Sequence, residues 1–217
     1  MNLQHLHLNF PIQQLGHSVK LPHLLLLVYV VEFILLGIAP YDRAVWWAEN
    51  IPILLIVLTL VMTHRYFVFS STAYLMMACL VFLHTIGGHY TFERVPFDFI
   101  TDSFGFSRNH YDRVAHFSVG FYAYAAAELL LVRRMVNSRM VLFLFPLSII
   151  IAIAGSYEIF EWIYAITAND SAGLAVLGSQ GDEWDAQKDI LADSLGAVTA
   201  LILFYWLNRG QIGKVRW

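Results

Sequence analysis

Apolar runs recur six times along the chain, at roughly 24–39, 45–63, 72–88, 114–132, 140–165 and 190–207. Each is close to the ~17–25 residues that an α-helix needs to cross hydrocarbon. Composition agrees: 59% of the 217 residues are hydrophobic, 13% are charged and the mean hydropathy is +0.61, against ~45–50% apolar and ~25% charged in soluble domains. A water-soluble globule and a disordered chain are both excluded. The expected fold is an all-α integral membrane protein, a bundle of six transmembrane helices over 23–208. A polar N-terminal tail over 1–22 precedes it and a basic C-terminal tail over 209–217 follows.

Net charge is −3, so no global basic field exists and nucleic acid is not an expected partner. The single cysteine, Cys79, rules out an intrachain disulfide. Lys20, the run Leu24 to Leu36 and then Gly37-Ile38-Ala39 imitate a cleavable signal, but Glu32 interrupts the run and Pro40 follows it directly. His5, His7 and His17 in the tail are irregularly spaced and make a poor metal site.

Orientation follows from Lys and Arg, because cytoplasmic loops carry their excess. With alternating helices, Lys20, Arg65, Arg133, Arg134, Arg139, Arg209, Lys214 and Arg216 fall on one side, and both termini are expected in the cytoplasm. The opposite side receives Arg43, Arg94, Arg108, Arg113 and Lys188, together with Asp42, Glu49, Glu93, Asp98, Asp102, Asp112, Asp170, Asp182, Glu183 and Asp185. The extracytoplasmic face is therefore expected to be strongly acidic. Two outer connections, 90–111 and 166–187, exceed 20 residues, a length that usually signals function or disorder. Tryptophans 46, 47, 162, 184 and 206 sit at run ends or in loops, as interface anchors do.

Polar residues within apolar runs carry the functional information, since a charge at bilayer centre costs at least ~2.5–3.5 kcal/mol. Glu158 and Glu161 lie three apart on one face of the fifth run. Asp112 and His116 lie four apart at the outer start of the fourth, with Asn109 placed to cap it. Asp182, Asp185, Asp189 and Asp193 form a helical stripe entering the sixth run. At ~6 Å spacing and an effective dielectric of ~20, each adjacent pair repels by ~3 kcal/mol. Bound cations, protonation, or Arg113, Lys188, Arg94 and Arg108 reaching across must offset that repulsion. His84 and His89 flank Gly87-Gly88, a pair that permits a close helix approach or a helix end. Depth counted at 1.5 Å per residue puts His84, His116, Glu158 and Asp193 at one level. A shared, water-accessible pocket open to the outside is the simplest arrangement. Polar contacts between helices are the plain alternative, and for Glu128, which can reach toward Arg133, the structural role is the expected one.

Three of these segments are long and specific: His84-Thr-Ile-Gly-Gly-His89-Tyr-Thr-Phe-Glu-Arg-Val-Pro96, Arg108-Asn-His-Tyr-Asp-Arg-Val-Ala-His116-Phe, and Gln180-Gly-Asp-Glu-Trp-Asp-Ala-Gln-Lys-Asp189 with Gly196-Ala197. With Glu49-Asn50-Ile-Pro52, they resemble the YjdF-type family of bacterial inner-membrane proteins, a family of unknown function, over most of the chain. The second half is also similar to VanZ-like membrane proteins. Asp112, His116 and Phe117 match their Asp-x3-His-Phe, Glu158 or Glu161 their mid-chain Glu, and Asp189 with Gly196 their Asp-x3-Asn-x2-Gly. Asp193 stands where that pattern has Asn. The second resemblance implies an envelope or lipid-linked role and carries no reaction with it.

The chemistry expected of such a pocket is divalent-cation binding with action on a membrane lipid or lipid-linked headgroup, by binding or by metal-assisted hydrolysis. Asp112, His116, Glu158 and Asp189 are the candidate ligands; mixed His and carboxylate donors suit Zn²⁺ or Mn²⁺, and an all-oxygen subset suits Mg²⁺ or Ca²⁺. Glu161 or Asp185 is the candidate general base. Arg108 and Arg113 are expected to meet a phosphate, with His84, His89, Asp182 and Asp193 around the substrate. A proton- or cation-coupled transporter and a non-catalytic lipid-binding scaffold are the competing classes. Transport requires polar residues continuing toward the cytoplasm, which the third and sixth runs lack beyond Thr85 and Thr199.

Overall fold

The computed structural model describes residues 20–168 and 170–213; the tail histidines His5, His7 and His17, and Lys214 and Arg216, lie outside the described residues. Nine helices occur among the described residues: α1 (Lys20–Gly37), α2 (Arg43–Thr63), α3 (Ser71–Tyr90), α4 (Asp98–Phe104), α5 (Tyr111–Val119), α6 (Tyr122–Val132), α7 (Arg139–Thr167), α8 (Asp170–Leu177) and α9 (Asp185–Ile212). Six spans are long and apolar enough to cross a membrane, α5 and α6 together making the fourth over Tyr111–Val132. The long connections are not bare loops, because α4 and α8 occupy them.

Polar side chains fix where several helices begin. Asp42 Oδ1 accepts the amides of Ala44 and Val45 at 2.7 and 3.0 Å and starts α2. Ser70 caps α3, and Glu128 reaches across from α6 to accept both the Ser70 amide, at 2.7 Å, and the Ser70 hydroxyl, at 2.5 Å. Glu128 is thus a buried clamp on the first turn of α3, whereas the neighbouring Arg133 guanidinium donates to the Tyr66 carbonyl. Arg139 donates to the Gly213 carbonyl at 3.1 Å. These bonds gather the short connections and the end of α9 at one basic end. Contacts such as Tyr41 N–H to the His89 carbonyl, at 2.9 Å, gather the remaining helix ends at the other, acidic end.

The centre of the bundle is α9, packed on α5, α6 and α7, beside α3, which packs on α1, α2, α5 and α6. Ala123, Ala127, Ala197 and Ala200 are fully buried here with Tyr124, Leu142 and Phe204; small residues let membrane helices approach closely where lipid offers no hydrophobic drive. Trp46 belongs to the packing too, at 1% exposure between Phe33 and His89, and so departs from the interface role expected of it.

The tightest approach sets the geometry of everything near the acidic end. A Cβ on Gly196 would overlap the Phe117 carbonyl, and one on Gly120 would overlap the backbone of α9 at Asp193 and Ala197. Two glycines therefore put the backbones of α5 and α9 in contact, at the point where the fourth span breaks between α5 and α6. Gly196→Ala is expected to cost about 3 kcal/mol by overpacking, read as a lower unfolding midpoint in detergent. Gly155→Ala, which meets open space on α7, should leave that midpoint unchanged.

Candidate functional site

His116 lies one helical turn before Gly120, and Asp189 and Asp193 lie seven and three residues before Gly196, so the glycine contact sets these three side chains side by side. His116 Nδ1 bonds Asp193 Oδ2 at 3.2 Å. An ionised Asp193 accepts only, so Nδ1 carries the hydrogen and Nε2 points away. Nε2 sits 3.7 Å from Asp112 Oδ1 and 3.7 Å from Asp189 Oδ1. Donor atoms of Asp112, His116 and Asp189 all fall within 4.8 Å of one another. Two carboxylate oxygens 3.7 Å from Nε2 favour a proton or a cation beside it, and the Arg113 guanidinium, bonded to the same Asp189 Oδ1, is one cation already at the edge of this group. Around zinc at ~2.1 Å the edge of a ligand tetrahedron is ~3.4 Å, a few tenths of an ångström below the 3.7 Å that separates Nε2 from each carboxylate oxygen. The carboxylate behind the imidazole is the usual device for orienting a ligating histidine.

Toward the membrane surface the aspartate stripe is neutralised by arginines. Arg113 bonds both Asp185 and Asp189, and Arg108 bonds Asp185 at 2.6 Å and the Ser179 and Gly178 carbonyls at 3.1 and 3.2 Å. Lys188 bonds Asp182 at 2.6 Å; that ammonium, then the Trp184 amide, holds the Asp182 carboxyl below the usual carboxylate range. His110, just outside the span, is pushed down by burial and by the nearby positive charges of Arg108 and Arg113. Arg94 is engaged elsewhere, over the Tyr41 ring and against Glu93. Asn109 ties three segments together: its side-chain amide bonds the Glu93 and Val95 carbonyls, its backbone pairs reciprocally with the Gln180 side chain, and its Oδ1 accepts the Tyr111 amide at the start of α5.

Behind this outer layer lies a cavity of about 300 Å³ between α2, α3, α5, α7, α8 and α9. Its polar wall consists of Glu49, His84, Asp112, His116, Tyr157, Glu161 and Asp193; Pro52, Ile53, Leu55, Ile56, Leu80 and Ile153 supply apolar wall. Glu49, expected among the loop acids, is instead inside α2 at 1% exposure. Its Oε2 meets His84 Nε2 at 3.1 Å and accepts the Tyr157 hydroxyl at 2.9 Å. Its position within the second apolar run was the available signal. Tyr157 carried none, being one aromatic in an apolar helix.

The expected site residues thus divide. Asp112, His116, Asp193, His84 and Glu161 line the cavity. Asp189 joins them through His116. Glu158 is within electrostatic reach of His116, Asp189 and Asp112, and its Oε1 is buried without a hydrogen-bond partner. Asp185, Asp182, Arg108 and Arg113 form the ionic layer outside. His89 is held apart, its Nδ1 on the Leu36 carbonyl at 2.6 Å, where it anchors α1.

Arg113 is the only guanidinium bonded to both Asp185 and Asp189 among the described residues. Arg113→Met should therefore destabilise the protein by about 3–5 kcal/mol, the usual consequence of leaving a buried charge uncompensated. Arg113→Lys should recover only part of that loss, because an ammonium lacks the planar fork. Unfolding in mixed micelles measures both.

Comparisons with known proteins agree with this architecture. "Inner membrane protein YjdF" of Escherichia coli (strain K12) is 35% identical over 184 residues, covering 82% of this chain and 86% of that protein. No solved structure matches. Residues 21–210, which include all six spans almost entirely, match the family described as "Predicted membrane protein (DUF2238)", and the chain belongs to that family.

Proposed function

We propose that the protein is an inner-membrane protein with both termini in the cytoplasm, whose acidic pocket holds a divalent cation and uses it on a lipid or lipid-linked headgroup at the outer boundary of the bilayer. The observation carrying this reading is the placement of His116: Asp193 behind Nδ1, and Asp112 and Asp189 in front of Nε2. Those three are the ligands, and Asp193 orients the imidazole. Mixed nitrogen and oxygen donors favour Zn²⁺ or Mn²⁺. Bound there, the ion supplies Lewis-acid polarisation of a headgroup oxygen or of water. Glu161, across the cavity on α7, is positioned as the proton acceptor.

Charge balance supports a cation. Eight carboxylates (Glu49, Asp112, Glu158, Glu161, Asp182, Asp185, Asp189 and Asp193) gather around three permanent cations, Arg108, Arg113 and Lys188. A transport path is disfavoured by the layer toward the basic end, where Ala123, Ala197, Ala200, Leu201 and Phe204 are packed and buried. The orientation rests on Arg65, Arg133, Arg134, Arg139 and Arg209 at the basic end.

Purified protein should carry about one divalent ion per chain by elemental analysis. Asp112→Asn should abolish retention, and Asp193→Asn should weaken affinity roughly 10–100-fold; metal-free wild-type protein that stays metal-free on titration refutes the reading. Topology is checked independently. A periplasm-dependent reporter should be active when inserted in the 178–181 connection and inactive when fused after 213, and the reverse pattern inverts the orientation.

A further inference from the structure

We infer that the pocket is loaded sideways from the bilayer, through the seam between α2 and α7, and that its ligand is an amine-bearing phospholipid whose ammonium is received by Glu161 and Glu49. This deepens the headgroup reading of the same pocket but does not depend on the metal.

The route follows from what surrounds the cavity. At the acidic end, α8 lies between α2 and α7: Val176 packs on Val45 and Tyr164, and the Ala165 backbone sits against Gly173 so closely that a side chain there has no room. Ala175, Val176 and Gly178 form the outer wall of the cavity, and the Asn109–Gln180 pair holds the loops above it. The path straight outward is covered. Deeper in the membrane no helix among the described residues fills the corresponding gap. Leu55 of α2 and Ile153 of α7 both line the cavity, yet they are 58% and 54% exposed. On spans of this kind that exposure faces acyl chains. The cavity therefore opens to lipid.

The occupant's chemistry follows from the walls. Apolar residues of α2, α3 and α7 lead from the seam to a polar end, so the ligand is an amphiphile. At about 300 Å³ the space lies at the lower end of the ~300–1,000 Å³ of small-molecule sites, enough for a headgroup and its first methylenes while the chains remain in the bilayer. Among the described residues no lysine or arginine lines it; Arg108 and Arg113 are spent on the aspartates outside. A purely anionic headgroup has no lysine or arginine partner in this wall. Glu161, by contrast, is 7% exposed, lines the cavity, and makes no hydrogen bond or ion pair among the described residues. A buried carboxylate without a partner is costly unless something cationic or hydrogen-bonding meets it. A primary ammonium supplies three donors, matching Glu161 and the Glu49 already shared by His84 and Tyr157.

The test uses full-length protein in nanodiscs with equal phosphatidylethanolamine and phosphatidylglycerol, read by native mass spectrometry of the lipid retained. At least a tenfold preference for phosphatidylethanolamine is expected. Glu161→Gln, close in shape, should remove the preference, and Ile153→Trp should reduce retention of either lipid by blocking the seam, with unfolding midpoints confirming that both variants are folded. Equal retention of the two lipids, an undiminished preference in folded Glu161→Gln, or displacement by free phosphoethanolamine as effective as by the lipid overturns the proposal. Repeating the measurement after chelation separates the two ideas: a preference that survives in protein shown to bind no metal supports this inference and removes only the metal.

Discussion

Contact between the backbones of α5 and α9 at Gly120 and Gly196 is the constraint on which the rest of the acidic end depends. A bilayer offers no hydrophobic force to press two helices together, so close packing of small residues has to provide the attraction. Here it also sets register. With the two glycines opposed, the residues a turn or two toward the acidic end fall into fixed partnership, His116 with Asp193 and Arg113 with Asp185 and Asp189. A shift of one residue along either helix would rotate these side chains by ~100° and leave charges facing hydrocarbon. Electrostatics and sterics thus select the same alignment.

The charges are graded with depth. At the surface, Asp182 and Asp185 are matched by Lys188, Arg108 and Arg113, and this layer also holds the outer connections in place. One turn deeper, Asp189 shares Arg113 and turns toward His116. Deeper still, Asp193 has only the imidazole, and its Oδ1 is buried without a partner. On the far side of the cavity Glu161 makes no hydrogen bond or salt bridge among the described residues. Neutralisation is thus complete in the outer ionic layer and incomplete around the cavity.

Much of this was legible in the chain. Length and hydropathy of the runs predict six spans, and each is present within a few residues of its expected limits. The spacing of Asp112 with His116 and of the aspartate stripe predicts shared faces, and Asp112, His116 and Asp189 do converge. Periodicity within a helix has no information about which arginine across the bundle answers which aspartate, so Arg108 and Arg113, open to either a phosphate or the aspartate stripe in the sequence, are found in the ionic layer. Nor does it distinguish an acid at the membrane face from one buried a turn inside a helix, as Glu49 is. Trp46 departs for a related reason: an aromatic near a run end reads as an interface residue until the neighbouring helix is known to cover it, whereas Glu128 takes the structural role expected of it, with Ser70 as its partner in place of Arg133. Helix α8 was hidden because a span-length filter passes over eight residues.

Arg113 and Asp189 are 76 residues apart in sequence, and His116 and Asp193 are 77 apart. A ribosome therefore delivers the fourth span well before the one carrying its counter-charges. Until α9 emerges, Arg113 and His116 on α5 have only Asp112 of the same helix to answer them, and that segment has reason to linger at the insertion machinery or in the headgroup region. The final span then acts as a keystone: its arrival converts a reluctant helix into a settled one, and a chain cut short before it would remain recognisably unfinished to membrane proteases.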